Sequence, residues 1–176
     1  MRRVVEVRIY PTILQQQVLR DWMRTCCWLH NQALEQRIKA WGRRKQRIRT
    51  FDQFKWHSDM RSRIPRLASV PSAFARDAIR RVDSAFEHFF RRCKNGSTPG
   101  FPKFKSWKMY RSMEFLNKGK YFRDGRYISI PKIGHCQKVI RGLIMTVKES
   151  DHCDKHRKSL SVVWSGIKEF LRGQNG

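Results

Sequence analysis

Positions 4 to 9 alternate, with Val5, Val7 and Ile9 on one face and Val4, Glu6 and Arg8 on the other, which predicts a short strand. Tyr10-Pro11 ends it. Thr12, with Gln15 three residues on, reads as a capping box that opens a helix. Leu14, Val18 and Trp22, then Cys26, Leu29 and Ala33, follow at helical spacing. The pattern runs to about Trp41-Gly42, as one helix or as two broken near Thr25. Arg43-Arg44-Lys45-Gln46-Arg47 reads as a basic loop. A short helix follows from about Phe51 to Arg63, and Pro65 closes the region. Pro71-Ser72 starts the clearest helix, with Ser72 as its N-cap. Phe74, Ala75, Ala78, Ile79, Val82, Ala85, Phe86, Phe89 and Phe90 form its apolar stripe. Arg76, Arg80, Asp83, Glu87 and Arg91 lie off that stripe, and Asn95-Gly96 supplies the stop.

Beyond residue 96 helical periodicity ends, and Gly, Pro and aromatic residues increase. Asp124-Gly125, between Tyr121-Phe122 and Tyr127-Ile128, is a hairpin signal. Val139 to Val147 and Leu160 to Trp164 read as further strands, and Ile167 to Leu171 as a short terminal helix at best. The expected fold class is α+β, with the first strand joining the later strands and the helices inserted between them.

Charge then decides the partner. The 176 residues hold 39 Lys+Arg against 14 Asp+Glu, a net charge of +25 that disfavours compaction unless a polyanion neutralises it. Residues 37–66 and 91–126 each carry eleven positive residues against two negative, too few acids to neutralise them internally, so nucleic acid is the expected partner. Arg outnumbers Lys 24 to 15, which favours bidentate phosphate and base-edge contacts. No run of 18 apolar residues occurs and the N-terminus has no apolar signal core, so neither a membrane span nor a secretory signal is expected, and with no basic amphipathic surface helix an anionic membrane surface is the weaker alternative to nucleic acid. Cys26, Cys27, Cys93, Cys136 and Cys153 are odd in number, and the first two are adjacent, which fits a reducing cytoplasm better than a disulfide framework.

Candidate chemistry is sparse. A two-metal nuclease needs carboxylates from several strands, and no such set is evident. Asp83 and Glu87 share a helical face, but cationic neighbours favour ion pairing, with Asp77–Arg81 and Glu87–Arg91 at i,i+4. His135-Cys136 and His152-Cys153-x-x-His156 have zinc-ligand types without two short-spaced pairs, so no metal and no cofactor are expected. Helical spacing assigns Phe74, Phe86, Phe89 and Phe90 to core packing. Phe51, Trp56 and Trp107 lie among Arg and Lys outside any apolar period, where base or sugar stacking stands beside ordinary half-buried packing.

Several segments together carry a family resemblance. They are Arg8-Ile9-Tyr10-Pro11-Thr12 with Gln15, and Trp28-Leu29-His30-Asn31, where Tyr is usual at His30. Next come Val70-Pro71-Ser72, Asp83-x-Ala85-Phe86-x-x-Phe89-Phe90 and Gly100-Phe101-Pro102-Lys103-Phe104-Lys105, followed by Arg111-Ser112 and Ile130-Pro131-Lys132-Ile133-Gly134. In this order and spacing, over roughly residues 3–148, the chain resembles the TnpB (OrfB) family of transposon-encoded RNA-guided endonucleases.

That resemblance implies a small antiparallel wedge-type β-barrel, residues 1–10 and 97–165, with a helix-turn-helix-like recognition lobe, 11–96, inserted after the first strand, and a tail, 166–176. It implies a guide RNA from the same mobile element, held by Arg8, Lys103, Lys105, Arg111 and Lys132. Double-stranded DNA carrying a short motif beside the target would be read by Phe51, Lys55, Ser72, Arg76 and Arg80. The sequence ends at Gly176, where relatives begin their RuvC-like nuclease, so the chain alone is expected to be no enzyme. A separate nuclease chain, a nuclease-dead regulator and a decayed transposase fragment stay open as alternatives. The expected setting is a prokaryotic cytoplasm, on the nucleoid when bound.

Overall fold

A computed structural model describes residues 3–116, 122–123, 127–130, 132–138, 143–149 and 158–163. Strand β1 (Arg3–Tyr10) leads into helix α1 (Ile13–Arg44), then α2 (Thr50–Arg63), α3 (Pro65–Ser69) and α4 (Ser72–Lys94). A single 3-10 turn, Trp107–Met109, precedes the remaining strands: β2 (Ser112–Leu116), β3 (Phe122–Arg123), β4 (Tyr127–Ile130), β5 (Gly134–Lys138), β6 (Leu143–Glu149) and β7 (Lys158–Val163). The chain is α+β, with more of it helical than extended. Two compact units divide it: residues 1–21 with 111–176, which hold the strands, and residues 22–110, which hold most of the helices. No described helix is long and apolar enough to cross a membrane.

In the strand unit every ladder is antiparallel and the order is β2-β7-β6-β1-β5-β4-β3. The first strand therefore lies inside the sheet. It pairs with β6 from Arg3↔Glu149 to Ile9↔Leu143 and with β5 at Ile9↔Lys138 and Tyr10↔Gln137. The alternation of positions 4 to 9 marks the strand, and the two ladders give it neighbours on both sides. β3 and β4 pair as Phe122↔Ile128 and Arg123↔Tyr127, flanking the Asp124-Gly125 signal, which itself lies outside the described residues. So do Val139–Gly142, the tail and Trp164, so β6 and β7 are the described parts of the two later expected strands. β2 and β5 carry no periodic signal. β5 is set by a tight turn in which Ile133 N–H donates to the Ile130 carbonyl (3.1 Å), with Lys132 at φ 67° and Gly134 at φ 90°, a conformation glycine adopts without strain. Thr12 and Gln15 form the expected capping box: Thr12 N–H donates to Gln15 Oε1 (2.9 Å) and Gln15 N–H to Thr12 Oγ1 (3.3 Å).

α1 runs unbroken through Thr25, so the one-helix alternative holds. Within residues 22–110 its Trp22, Cys26, Leu29, Ala33 and Leu34 are buried, as are Leu67, Val70 and, on α4, Phe74, Ala75, Ala78, Ile79 and Val82. Trp22 and Phe74 meet at 5.8 Å between ring centroids. Pro65 does more than close α2. Ile64 is extended (φ −116°, ψ 104°), as a residue before proline must be, and Pro65 then opens α3 at a position needing no N–H. Ser72 is not the N-cap: Pro71 holds that position and Ser72 is the first helical residue, with no side-chain capping bond. The α4 stop is a Schellman closure, with Ser97 N–H on the Arg92 carbonyl (3.1 Å), Gly96 N–H on Cys93 (3.3 Å), and Gly96 at φ 68°.

One polar hub joins three helices. Arg37 of α1 donates to Asp83 of α4 (2.8 Å) and to Gln53 Oε1 (2.9 Å) and Thr50 Oγ1 (3.1 Å) of α2. Buried Gln53 returns its amide N–H to the Ala33 carbonyl (2.7 Å) and to Gln36 (3.2 Å). A second buried polar contact ties α1 to α4: His30 Nδ1–H donates to the Ala78 carbonyl at 3.2 Å. Burial, with the Lys105 and Arg81 charges behind it, pushes the His30 pKa down to about 4.

Gln53→Leu leaves Ala33 O and the Arg37 Nε–H without their partner, so a loss of about 1–3 kcal/mol is expected in urea unfolding. His30 is neutral when folded and titrates at its ordinary value when unfolded. The unfolded chain therefore binds the extra proton between pH 6.5 and about 4, and stability falls as pH drops through that window. The loss attributable to His30 is up to about 3 kcal/mol. Paired unfolding curves at pH 7 and pH 4 should show His30→Gln losing less than the unsubstituted chain by that amount.

Candidate nucleic-acid interface

The aromatic and basic residues of α2 and α4 meet along one seam. Phe51 and Phe54 are one turn apart on α2, and Lys55 follows Phe51 by four residues. Phe51 is 64% exposed, with the Lys55 ammonium 5.3 Å from its ring centroid. Half-buried Phe54 receives two guanidiniums from α4, Arg76 at 5.8 Å and Arg80 at 5.6 Å. Arg76 and Arg80 are successive i,i+4 positions, off the buried Phe74–Ala78–Val82 stripe, and both are exposed, as is Ser72 one turn earlier. Of the five residues assigned to DNA, the structure thus gathers Phe51, Lys55, Arg76 and Arg80 around Phe54. Ser72 continues the α4 row. Phe54 itself, the centre of the group, reads in the sequence only as an aromatic residue interleaved with the basic ones and is given no DNA-binding role there, although its i+3 spacing from Phe51 is legible.

Beneath the seam sits His57, buried on α2 with no hydrogen-bond partner for Nε2 among the described residues. Burial lowers its pKa, and the Arg61 and Arg76 charges lower it further, so it adds no cation to the seam at neutral pH. Arg61 is turned inward, donating to the carbonyls of Val70 (3.0 Å) and Ala68 (3.0 Å) and fixing the α3–α4 connection.

A second basic stretch follows α4. Asn31 holds the Lys105 peptide from both sides: Lys105 N–H donates to Asn31 Oδ1 (2.9 Å) and Asn31 Nδ2–H to the Lys105 carbonyl (2.8 Å). Cys27 Sγ–H donates to the same carbonyl at 3.3 Å. The Lys105 ammonium lies 5.9 Å from the buried Tyr110 ring, and Arg81, paired with buried Asp77 at 2.8 Å, lies 5.5 Å from it. Partial burial and the Arg81 charge lower the Lys105 pKa. At the α4 end, Phe101 packs edge-on against Phe86 (5.8 Å) and Phe89 (5.4 Å). The aromatic stripe of α4 is therefore core only in its first half, and its second half closes over this loop.

The residues assigned to RNA are divided. Lys103 and Lys105 belong to the unit 22–110, whereas the sequence reading placed them with the later strands. The difference arises because Asn31 and Cys27 bind the loop backbone to α1. Arg8, Arg111 and Lys132 belong to the strand unit: Arg8 stands opposite Ile144 in the ladder, Arg111 directly precedes β2, and Lys132 lies in the β4–β5 turn. Lys103, Arg111 and Lys132 are exposed.

Asp83 is engaged by Arg37, which sets aside its pairing with Glu87 around a metal. The Asp77–Arg81 pair forms as expected. Arg91 contacts His88 (2.7 Å) rather than Glu87. Cys26 and Cys27 are buried free thiols, and burial raises both pKa values, Cys26 the more. Cys136 is likewise buried, its pKa pushed up to about 11. His152, Cys153 and His156 lie outside the described residues. Among the described residues no three His, Cys, Asp or Glu side chains come together.

No curated protein matches the chain. Residues 1–46 match the helix-turn-helix domain model of the OrfB/IS605 family. In the structure this span is β1 followed by the continuous α1, and the first step from helix through turn to helix runs from α1 across residues 45–49 into α2. The match suggests a DNA-binding, transposase-like role, and it supports a likeness of residues 1–46 to the N-terminal helix-turn-helix region of the TnpB (OrfB) family.

Proposed function

We propose that the chain is a non-catalytic nucleic-acid-binding protein of the TnpB type, which holds a guide RNA and reads a short DNA motif beside the target. The match of residues 1–46 supports the DNA-binding part of the reading, and the net charge of +25 with the Phe51–Lys55–Phe54–Arg76–Arg80 seam supports a nucleic-acid partner. Exposed guanidiniums in a row on one helix suit phosphates and guanine edges in a major groove. Flanking Phe51 and Lys55 extend the contact, and Ser72 approaches the backbone. The seven-stranded antiparallel sheet serves as the wedge-type module. Arg8, Arg111 and Lys132 on it, with Lys103 and Lys105 from the loop, hold RNA backbone.

Titration at fixed salt tests the division of labour. Arg76→Ala should cost about 1–3 kcal/mol in binding motif-containing duplex and hardly change RNA affinity. Lys105→Ala with Arg111→Ala should weaken RNA first. Equal loss on RNA and DNA from Arg76→Ala defeats the assignment. Unsubstituted affinity should fall roughly 10³-fold from 50 to 200 mM salt if about six phosphates are engaged. Incubation of the purified chain with DNA or RNA and Mg²⁺ or Mn²⁺ should leave the substrate intact; chelator-sensitive cutting refutes the non-catalytic reading.

A further inference from the structure

The loop from Phe101 to Met109 exposes large apolar side chains that the seam on α2 and α4 does not use. Phe104 is 58% exposed and Trp107 46%, although both lie in a segment whose backbone is fixed. The fixation is strong: the Lys105 peptide is held by three hydrogen bonds from Asn31 and Cys27, and Tyr110, which ends the segment, is buried. Between these anchors the chain makes the 3-10 turn Trp107–Met109, with the Arg24 guanidinium 5.1 Å from the Trp107 ring centroid. Lys103, Lys105 and Lys108 alternate with the rings, and no acidic residue lies between Phe101 and Met109. An uncovered aromatic surface of this kind needs a cover. A second copy of a +25 chain is electrostatically a poor one. A polyanion with accessible aromatic faces suits both the charge and the rings. Duplex nucleic acid presents the charge but keeps its base faces stacked inside, whereas an unpaired strand presents both.

We infer that Phe104 and Trp107 form a stacking site for unpaired nucleobases, with Lys103, Lys105 and Lys108 beside the strand's phosphates. The site takes single-stranded nucleic acid irrespective of sequence, because every base has a stacking face. Held on a pinned backbone, the two rings lose little freedom when a strand binds. The inference rests on the nucleic-acid reading above and adds a strand-selective surface to it.

The test compares three 20-mers at one salt concentration, oligo(dT), oligo(U) and an abasic deoxyribose-phosphate strand of equal charge, with a 20-base-pair duplex as reference. The unsubstituted chain should bind the abasic strand about 30-fold or more weaker than oligo(dT), as two lost stacking contacts require. Oligo(dT) and oligo(U) should bind within a few-fold of each other; a large preference for one sugar overturns the sequence- and sugar-tolerant site. Phe104→Leu with Trp107→Leu, which keeps apolar bulk, should reduce oligo(dT) binding to the abasic level and leave duplex binding within about twofold. Equal binding of abasic and oligo(dT) strands by the unsubstituted chain overturns the inference without touching the duplex reading, and needs no variant. Unchanged strand binding by the double variant, with loss of a dimer on gel filtration, overturns it in favour of a copy interface. Failure to bind strand and duplex alike at 50 mM salt overturns the nucleic-acid reading itself.

Discussion

The grip of Asn31 on the Lys105 peptide is the contact on which the helical unit's return path depends. A side-chain amide has the donor and acceptor of a peptide group, so it can satisfy both the N–H and the C=O of one loop residue, as a neighbouring strand would. Seventy-four residues separate the partners. Without that pairing, the Lys105 N–H loses its partner and the carbonyl keeps only the weak Cys27 thiol donor. With it, Phe101 is delivered onto Phe86 and Phe89, Tyr110 is buried beside His30, and Phe104 and Trp107 are left outside.

The scarce acids of the helical unit work in the same direction. Asp77 and Asp83 neutralise Arg81 and Arg37, whose side chains are largely drawn into the helical packing, and Glu35 pairs with Lys39 along α1. A carboxylate spent on an inward cation is not available to an outward one. Arg76 and Arg80 therefore find aromatic faces instead, which hold a guanidinium without cancelling its charge. Charge that a chain of this composition must carry is thereby directed to the surface of α2 and α4.

Much of this was legible in the residues, for identifiable reasons. Periodicity exposed β1, α1 and α4, the two helices because each buries a regular apolar face, α2 was legible as the segment between a basic loop and Pro65, and the Thr12/Gln15 box and Asn95-Gly96 stop are local chemistry that the structure reproduces. β2 and β5 were not legible: their pairing is set by long-range ladders and by a turn at Lys132–Gly134. α3 is too short for a period. Ser72 misled because Ser is a strong capping residue, yet the extended Pro71 before it already fills that place. At the candidate interface, Arg76, Arg80, Phe51 and Lys55 were marked by the family resemblance, with spacing adding only that Arg76 lies off the apolar stripe, but the central place of Phe54 and the Asn31 clamp require the fold. Asn31 had been marked by resemblance alone, with nothing in the sequence to say what it holds.

The place of β1 in the sheet has a consequence for how the chain acquires its structure. Its ladder partners lie about 130 to 145 residues further on, at Gln137–Lys138 and Leu143–Glu149. The helical unit, by contrast, closes within 22–110. During synthesis the first strand leaves the ribosome with both edges unpaired and must wait while the whole helical insertion is made. Order is therefore acquired from the middle outward, and the earliest residues to be translated are among the last to find their hydrogen bonds. Until then the backbone N–H and C=O groups of residues 3–10 lack their ladder partners, and the Glu6 and Arg8 charges within this apolar segment discourage premature pairing with another chain.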